Sequence, residues 1–121
     1  MSTLNVSNIS DGTDTVETGY VVNGSAKAWA ASVLDSATSQ DTLNVSSITD
    51  TGSGDNRINL SSSMAYANYV VTAMSRQNAS SPRNISLYDN PASSYRVFAT
   101  IPSSGGLSSV GSHTAVMGDL A

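Results

Sequence analysis

The sequence predicts an all-β protein: a small antiparallel β-sandwich with an extended amino-terminal segment. Three observations predict it. Short runs in which polar and apolar residues alternate recur along the chain, the period-2 signature of half-buried strands. Turn residues interrupt these runs about every 8–12 positions, a spacing that fits sandwiches and small barrels and not alternating βα units. Prolines such as Pro91 and Pro102 fall at strand ends, where the missing N–H costs no ladder bond.

In chain order, the first feature is an internal echo. Thr3-Leu4-Asn5-Val6-Ser7-Asn8-Ile9-Ser10-Asp11 returns as Thr42-Leu43-Asn44-Val45-Ser46-Ser47-Ile48-Thr49-Asp50. Two copies are too few for a solenoid, so they read as two strand-plus-turn units. Between them, Asn23-Gly24 flanked by apolar runs predicts a hairpin, because a type I′ turn needs positive φ at both central residues. Ala26, Trp29, Ala30, Val33 and Leu34 then sit at helical spacing, while a strand fits residues 27–29 equally well. Residues 36–41 are polar and read as a linker.

From residue 42 the pattern is more uniform. Leu43, Val45 and Ser47 face one way, and Asn44, Ser46 and Ile48 the other. A turn over residues 50–55 leads into the alternating Arg57-Ile58-Asn59-Leu60. Residues 66–74 form a longer strand candidate carrying Tyr69, Val70, Val71 and Met74. Residues 83–88 and 95–101 alternate again, and after a Ser/Gly loop at 103–106 the last strand candidate spans 113–117.

Composition removes candidate functions. The 121 residues carry a net charge of −4 with only five bases, which excludes the dense phosphate neutralisation of nucleic-acid binding. No apolar run approaches the roughly 20 residues of a membrane span, and Met1-Ser2-Thr3-Leu4-Asn5 shows no export signal. A hydrophobic fraction of 39% with only 12% charged residues argues against disorder. There is no cysteine, so stability must come from packing, a metal or partner subunits. Trp29 and Phe98 are the only aromatics besides tyrosine, and many inward positions are Ala, Ser or Thr. Burying one Val, Leu or Ile contributes roughly 1.5–3 kcal/mol, against about 1–2 kcal/mol to order each backbone residue. The expectation is a homo-oligomer, in which residues 1–40 supply interfaces and residues 41–121 form the sandwich.

The chemistry-bearing residues are few. Asp11-Gly12-Thr13-Asp14 and the turn Asp50-Thr51-Gly52-Ser53-Gly54-Asp55 offer carboxylates for calcium, yet Asp, Gly and Ser are also ordinary turn formers, and plain turns are the favoured reading. A Ser-His-Asp triad assembled from His113 and Asp119 lacks a Gly-x-Ser-x-Gly elbow. Gly105-Gly106 is not followed by the Lys of a phosphate loop. Seven Asn-x-Ser sequons, at Asn5, Asn8, Asn23, Asn44, Asn59, Asn78 and Asn84, read as by-products of polar strand faces. No catalytic, metal or cofactor set is assigned. Binding candidates are Trp29, Tyr66, Tyr88 and Tyr95, whose rings suit stacking on sugars; core or subunit interface is the favoured role for such aromatics. The three tyrosines lie near strand ends, as exposed contacts would.

Tyr20-Val21-Val22-Asn23-Gly24-Ser25-Ala26-Lys27-Ala28-Trp29, followed by Asn44-Val45-Ser46-Ser47-Ile48-Thr49-Asp50-Thr51-Gly52-Ser53-Gly54-Asp55, resembles a module of tail-fibre and other virion structural proteins of tailed bacteriophages. The module's "M-x-x-A-N-Y" is matched by Met64-Ala65-Tyr66-Ala67-Asn68-Tyr69, and its closing "V-x-G-D" by Val116-Met117-Gly118-Asp119. Met1-Ser2-Thr3-Leu4 is similar to the starts of such fibre proteins. The chain departs from the module at Ala30-Ala31-Ser32-Val33-Leu34, where an aromatic-containing strand is usual, and it has no shaft.

The resemblance implies a non-enzymatic virion surface protein made in the host cytoplasm, a homotrimeric short fibre or spike on tail or head. Its amino-terminal segment would attach to other virion proteins, and loops at residues 50–55, 89–94 and 103–111 would face outward, with host surface glycans as possible ligands. A capsid decoration (cement) protein and a stand-alone carbohydrate-binding module are the alternatives.

Overall fold

A computed structural model describes residues 1–33, 38–76, 83–108 and 110–121. The fold is all-β. Two four-stranded antiparallel sheets carry eight strands: β3 (Ala26–Val33), β4 (Thr38–Leu43), β5 (Val45–Gly52), β6 (Asp55–Leu60), β7 (Val70–Arg76), β8 (Asn84–Tyr88), β9 (Ser94–Thr100) and β10 (Gly111–Met117). One sheet has the order β4-β3-β10-β7 and the other β5-β6-β9-β8. Ahead of them, β1 (Asn8–Ser10) pairs with β2 (Thr15–Glu17), and α1 (Thr18–Gly24) follows.

The inner faces complement each other in size. The β4-β3-β10-β7 sheet presents small side chains, with Ala28, Ala30 and Ser32 from β3 and Ser112, Thr114 and Val116 from β10. The other sheet presents Ile58, Leu60, Tyr95 and Val97, joined by Met64 and Tyr69 from the connection between β6 and β7. Large-on-small packing lets two sheets interdigitate. Buried hydroxyls are satisfied locally: Ser32 Oγ lies 3.0 Å from Ser112 Oγ.

The chain crosses from one sheet to the other at Asn44. Its φ of 54° lies in the left-handed region, which Asn tolerates better than most residues. Its side chain clamps the corner, accepting the Ser62 N–H at 2.7 Å and donating to the Ser62 carbonyl at 3.1 Å. A register shift between Val45 and Ser47 follows. This bulge turns both Val45 and Ile48 toward the core, which corrects the strict alternation expected for residues 43–48.

Several expectations are revised. Of the two readings left open after Gly24, strand is the one observed, over Ala26–Val33: Ala28, Ala30 and Ser32 are buried, while Trp29 stands on the opposite face. Leu34 lies outside the described residues. Asn23-Gly24 ends α1 and forms no hairpin. Of the expected linker, residues 38–41 belong to β4, and 36–37 lie outside the described residues. The sandwich therefore starts at Ala26, and the division at residues 40/41 cuts through β4. The amino-terminal segment is shorter than expected, about residues 1–24. Every side chain in it is exposed except half-buried Thr18. The echo also splits: its second copy runs through β4 and β5 of the sandwich, whereas the first forms only the exposed three-residue β1.

Candidate functional site

The outer face of the β5-β6-β9-β8 sheet carries the densest polar chemistry among the described residues. Cross-strand register creates it. Asp55 of β6 lies opposite Phe98 of β9, and Arg57 lies opposite Arg96. Two arginines face to face repel each other, and each is drawn instead to its own carboxylate. Arg57 Nη2 donates to Asp89 Oδ2 at 2.6 Å, with Nη1 on Ser94 Oγ at 3.0 Å. Arg96 grips Asp55 in a two-point fork, Nε to Oδ1 at 2.8 Å and Nη2 to Oδ2 at 2.6 Å. Such forks are the strong form of ion pair. The Arg96 guanidinium, aided by the Thr51 hydroxyl, holds the Asp55 carboxyl below the ordinary carboxylate value, against the opposing effect of burial.

On its other side Arg96 lies opposite Tyr88 of β8, with its guanidinium carbon 5.6 Å from the ring centroid, within cation–π range. Tyr88, Arg96, Asp55, Phe98 and Leu107 line a cleft of about 260 Å3. Leu107 reaches it from the loop after β9, bridging back to Thr100. Gly54 seats that loop. Its φ is 68°, and a Cβ there would stand 2.5 Å from the Ser108 carbonyl oxygen. The Ala99 N–H donates to the Gly54 carbonyl at 2.9 Å, the Ser108 N–H to the Ala99 carbonyl at 3.0 Å, and Arg83 Nε to Ser108 Oγ at 2.8 Å.

The opposite outer face, on the β4-β3-β10-β7 sheet, sets exposed apolar side chains among a few polar ones. Leu43, Trp29, Ala115 and Thr72 stand in one cross-strand row, and Asp41, Ala31, His113 and Met74 in the next. Leu43, Val70 and Met74 are 47%, 56% and 73% exposed.

The structure separates the four predicted aromatics. Tyr88 lines the cleft, Tyr66 is exposed in the β6–β7 connection, and Trp29 is half-buried on the other sheet's outer face. Tyr95 is no surface contact: it is fully buried between the sheets, because its alternation partners Val97 and Ala99 point inward with it. Burial pushes its phenol up to about 12. Sequence reasoning missed Arg96 and Phe98, and it placed Asp55 and Leu107 only in turns and loops, without the cleft that they line. The alternation in Tyr95-Arg96-Val97-Phe98 held a signal, since it puts Arg96 and Phe98 on one face; the β6 and β8 partners that complete the cleft depend on register.

The acidic turns use their carboxylates as turn-closing acceptors. Asp11 Oδ1 accepts the N–H groups of Thr13 and Asp14, each at 2.9 Å, and these bonds lower its pKa. Asp50 Oδ1 accepts the Gly52 N–H at 2.9 Å. No three His, Cys, Asp or Glu side chains gather among the described residues. His113 stands exposed in the middle of β10, not at its start, and Asp119 lies beyond the strand's end. The sequon at Asn78 lies outside the described residues. A hollow of about 460 Å3 lined by Glu17, Gly19, Tyr20, Asn23 and Gly24 sits on the exposed α1, which buries no residue against the sandwich. No family model, no curated protein and no solved structure matches the chain.

Proposed function

We propose that the chain is a non-enzymatic structural protein on the surface of a tailed-phage particle, a short fibre or spike of three identical copies. One observation carries the reading: Leu43, Val70 and Met74 stand exposed around half-buried Trp29 and Ala115 on the outer face of the β4-β3-β10-β7 sheet, with Asp41, Thr72 and His113 among them. Clustered exposed apolar side chains on a small domain mark an interaction site, and the small side chains on the inner face of this sheet limit the apolar area that the isolated sandwich buries. Copies joined through this face bury it about a common axis and leave the charged β5-β6-β9-β8 sheet outward. The exposed arm of residues 1–24, whose only charged side chains are Asp11, Asp14 and Glu17, docks on other virion proteins. The bacteriophage-like motifs at residues 64–69 and 116–119 support the location.

Sedimentation equilibrium tests the assembly. The native chain is expected at three times the 12.4 kDa monomer mass, and Met74→Glu, at a 73% exposed position, at monomer mass with an unchanged circular dichroism spectrum. A monomeric native protein at micromolar concentration would overturn it. Mass spectrometry of purified particles tests the location, and absence of the chain from them would sink it.

A further inference from the structure

We infer that the cleft over the Asp55–Arg96 pair binds one neutral sugar ring. The inference deepens the reading of the β5-β6-β9-β8 sheet as the outward face, and it rests on that reading only for the source of the sugar.

Size comes first. At about 260 Å3 the cleft falls below the roughly 300–1,000 Å3 of sites for drug-sized ligands, so it takes a single ring and not a chain. Chemistry narrows the class. Tyr88, Phe98 and Leu107 form an apolar wall, and Asp55 with Arg96 a polar floor. An apolar ligand would strip water from the ion pair without replacing its hydrogen bonds. A charged ligand finds no net charge to meet, since Asp55 neutralises Arg96 and Asp89 neutralises Arg57. A pyranose satisfies both surfaces, its C–H face against the wall and its hydroxyl edge on the floor.

The floor has capacity to spare. Asp55 Oδ1 accepts from the Thr51 hydroxyl and Arg96 Nε, and Oδ2 accepts from Arg96 Nη2. An ionised carboxylate has about four acceptor sites and a guanidinium five N–H groups. One acceptor site therefore stays open on Oδ2, and three Arg96 N–H groups are not spent on Asp55. Two adjacent sugar hydroxyls match this, one donating to Oδ2 and its neighbour accepting from the guanidinium. Both side chains rise from the central strands β6 and β9 and hold each other in place, so binding orders little that is not already fixed.

The test is a nitrogen-15 NMR titration of the full chain with glucose, galactose, mannose and N-acetylglucosamine, with glucuronate as the charged comparator. Expected are saturable, millimolar-range shifts at Tyr88, Arg96, Phe98 and Leu107 with at least one neutral sugar, and weaker binding of glucuronate. Tyr88 is 61% exposed, so Tyr88→Ala folds normally and weakens binding about tenfold, equivalent to about 1.4 kcal/mol. Tyr88→Phe retains it. No saturable shift with any neutral sugar, tighter glucuronate binding, or shifts unchanged in Tyr88→Ala would each overturn the inference. The Met74→Glu variant separates this from the assembly reading, because its cleft is intact and it binds the same sugar whatever its mass.

Discussion

The Tyr95 hydroxyl lies 2.7 Å from Thr114 Oγ1, joining the two sheets across the middle of the core. Thr114 Oγ1 lies 3.3 Å from the Ala30 carbonyl oxygen and spends its single proton there, so Tyr95 is the donor to Thr114. The chain of bonds runs from β9 through β10 to β3, and it explains how a large polar side chain is fully buried at no unpaired cost.

Tyr95→Phe keeps the ring and removes the bond. A net loss of about 1–2 kcal/mol is expected, the usual value of a buried hydrogen bond plus an acceptor left unpaired. Urea unfolding measures it, and Thr114→Val in the same background should add less than it does alone.

Alkaline sensitivity follows from burial. The folded phenols of Tyr95 and Tyr69 are pushed from 10.0 up to about 12. The fold favours their protonated forms, so this contribution is complete below pH 10 and is lost as pH rises from 10 towards 12. Thermal melts across that window should fall, and Tyr95→Phe should flatten the decline.

Asp55 has the opposite sign. Its carboxyl is lowered from 3.8, first by Arg96. The contribution is therefore present above the ordinary carboxylate value and disappears as pH falls through the lowered one. Asp55→Asn should be less stable than the native chain at neutral pH, with the gap closing in acid melts.

Gly54→Ala is expected to destabilise by roughly 2–4 kcal/mol, since φ of 68° and a Cβ 2.5 Å from the Ser108 carbonyl oxygen must both be accommodated. The strain falls on the loop that holds Leu107, so NMR shifts should concentrate at residues 99–108. An unchanged urea midpoint would contradict the close approach.

Removing residues 1–24 should leave the sandwich folded, with stability within about 0.5 kcal/mol, because the segment buries no side chain. If the melting transition vanished, the arm would be part of the core after all. On the docking role proposed for the arm, incorporation into particles is the property expected to be lost.

Strands β6, β8 and β9 were legible locally, because alternation in Arg57-Ile58-Asn59-Leu60 or Tyr95-Arg96-Val97-Phe98 encodes which face meets the core, whereas the strand expected over residues 66–74 begins only at Val70. Proline and glycine likewise marked where several strands stop. The all-β class follows from these short-range patterns. Three matters were decided only in three dimensions. Trp29 and its neighbours fit two periods until a partner strand fixed one, since Ala28 and Ala30 gain burial only against β10 and the facing sheet. The string shared by residues 3–11 and 42–50 became sandwich strand in one place and exposed arm in the other, because only the second copy has a facing sheet to pack against. The cleft joins Asp55, Tyr88 and Arg96 from three strands through register, and register is a property of the folded sheet that no single segment contains.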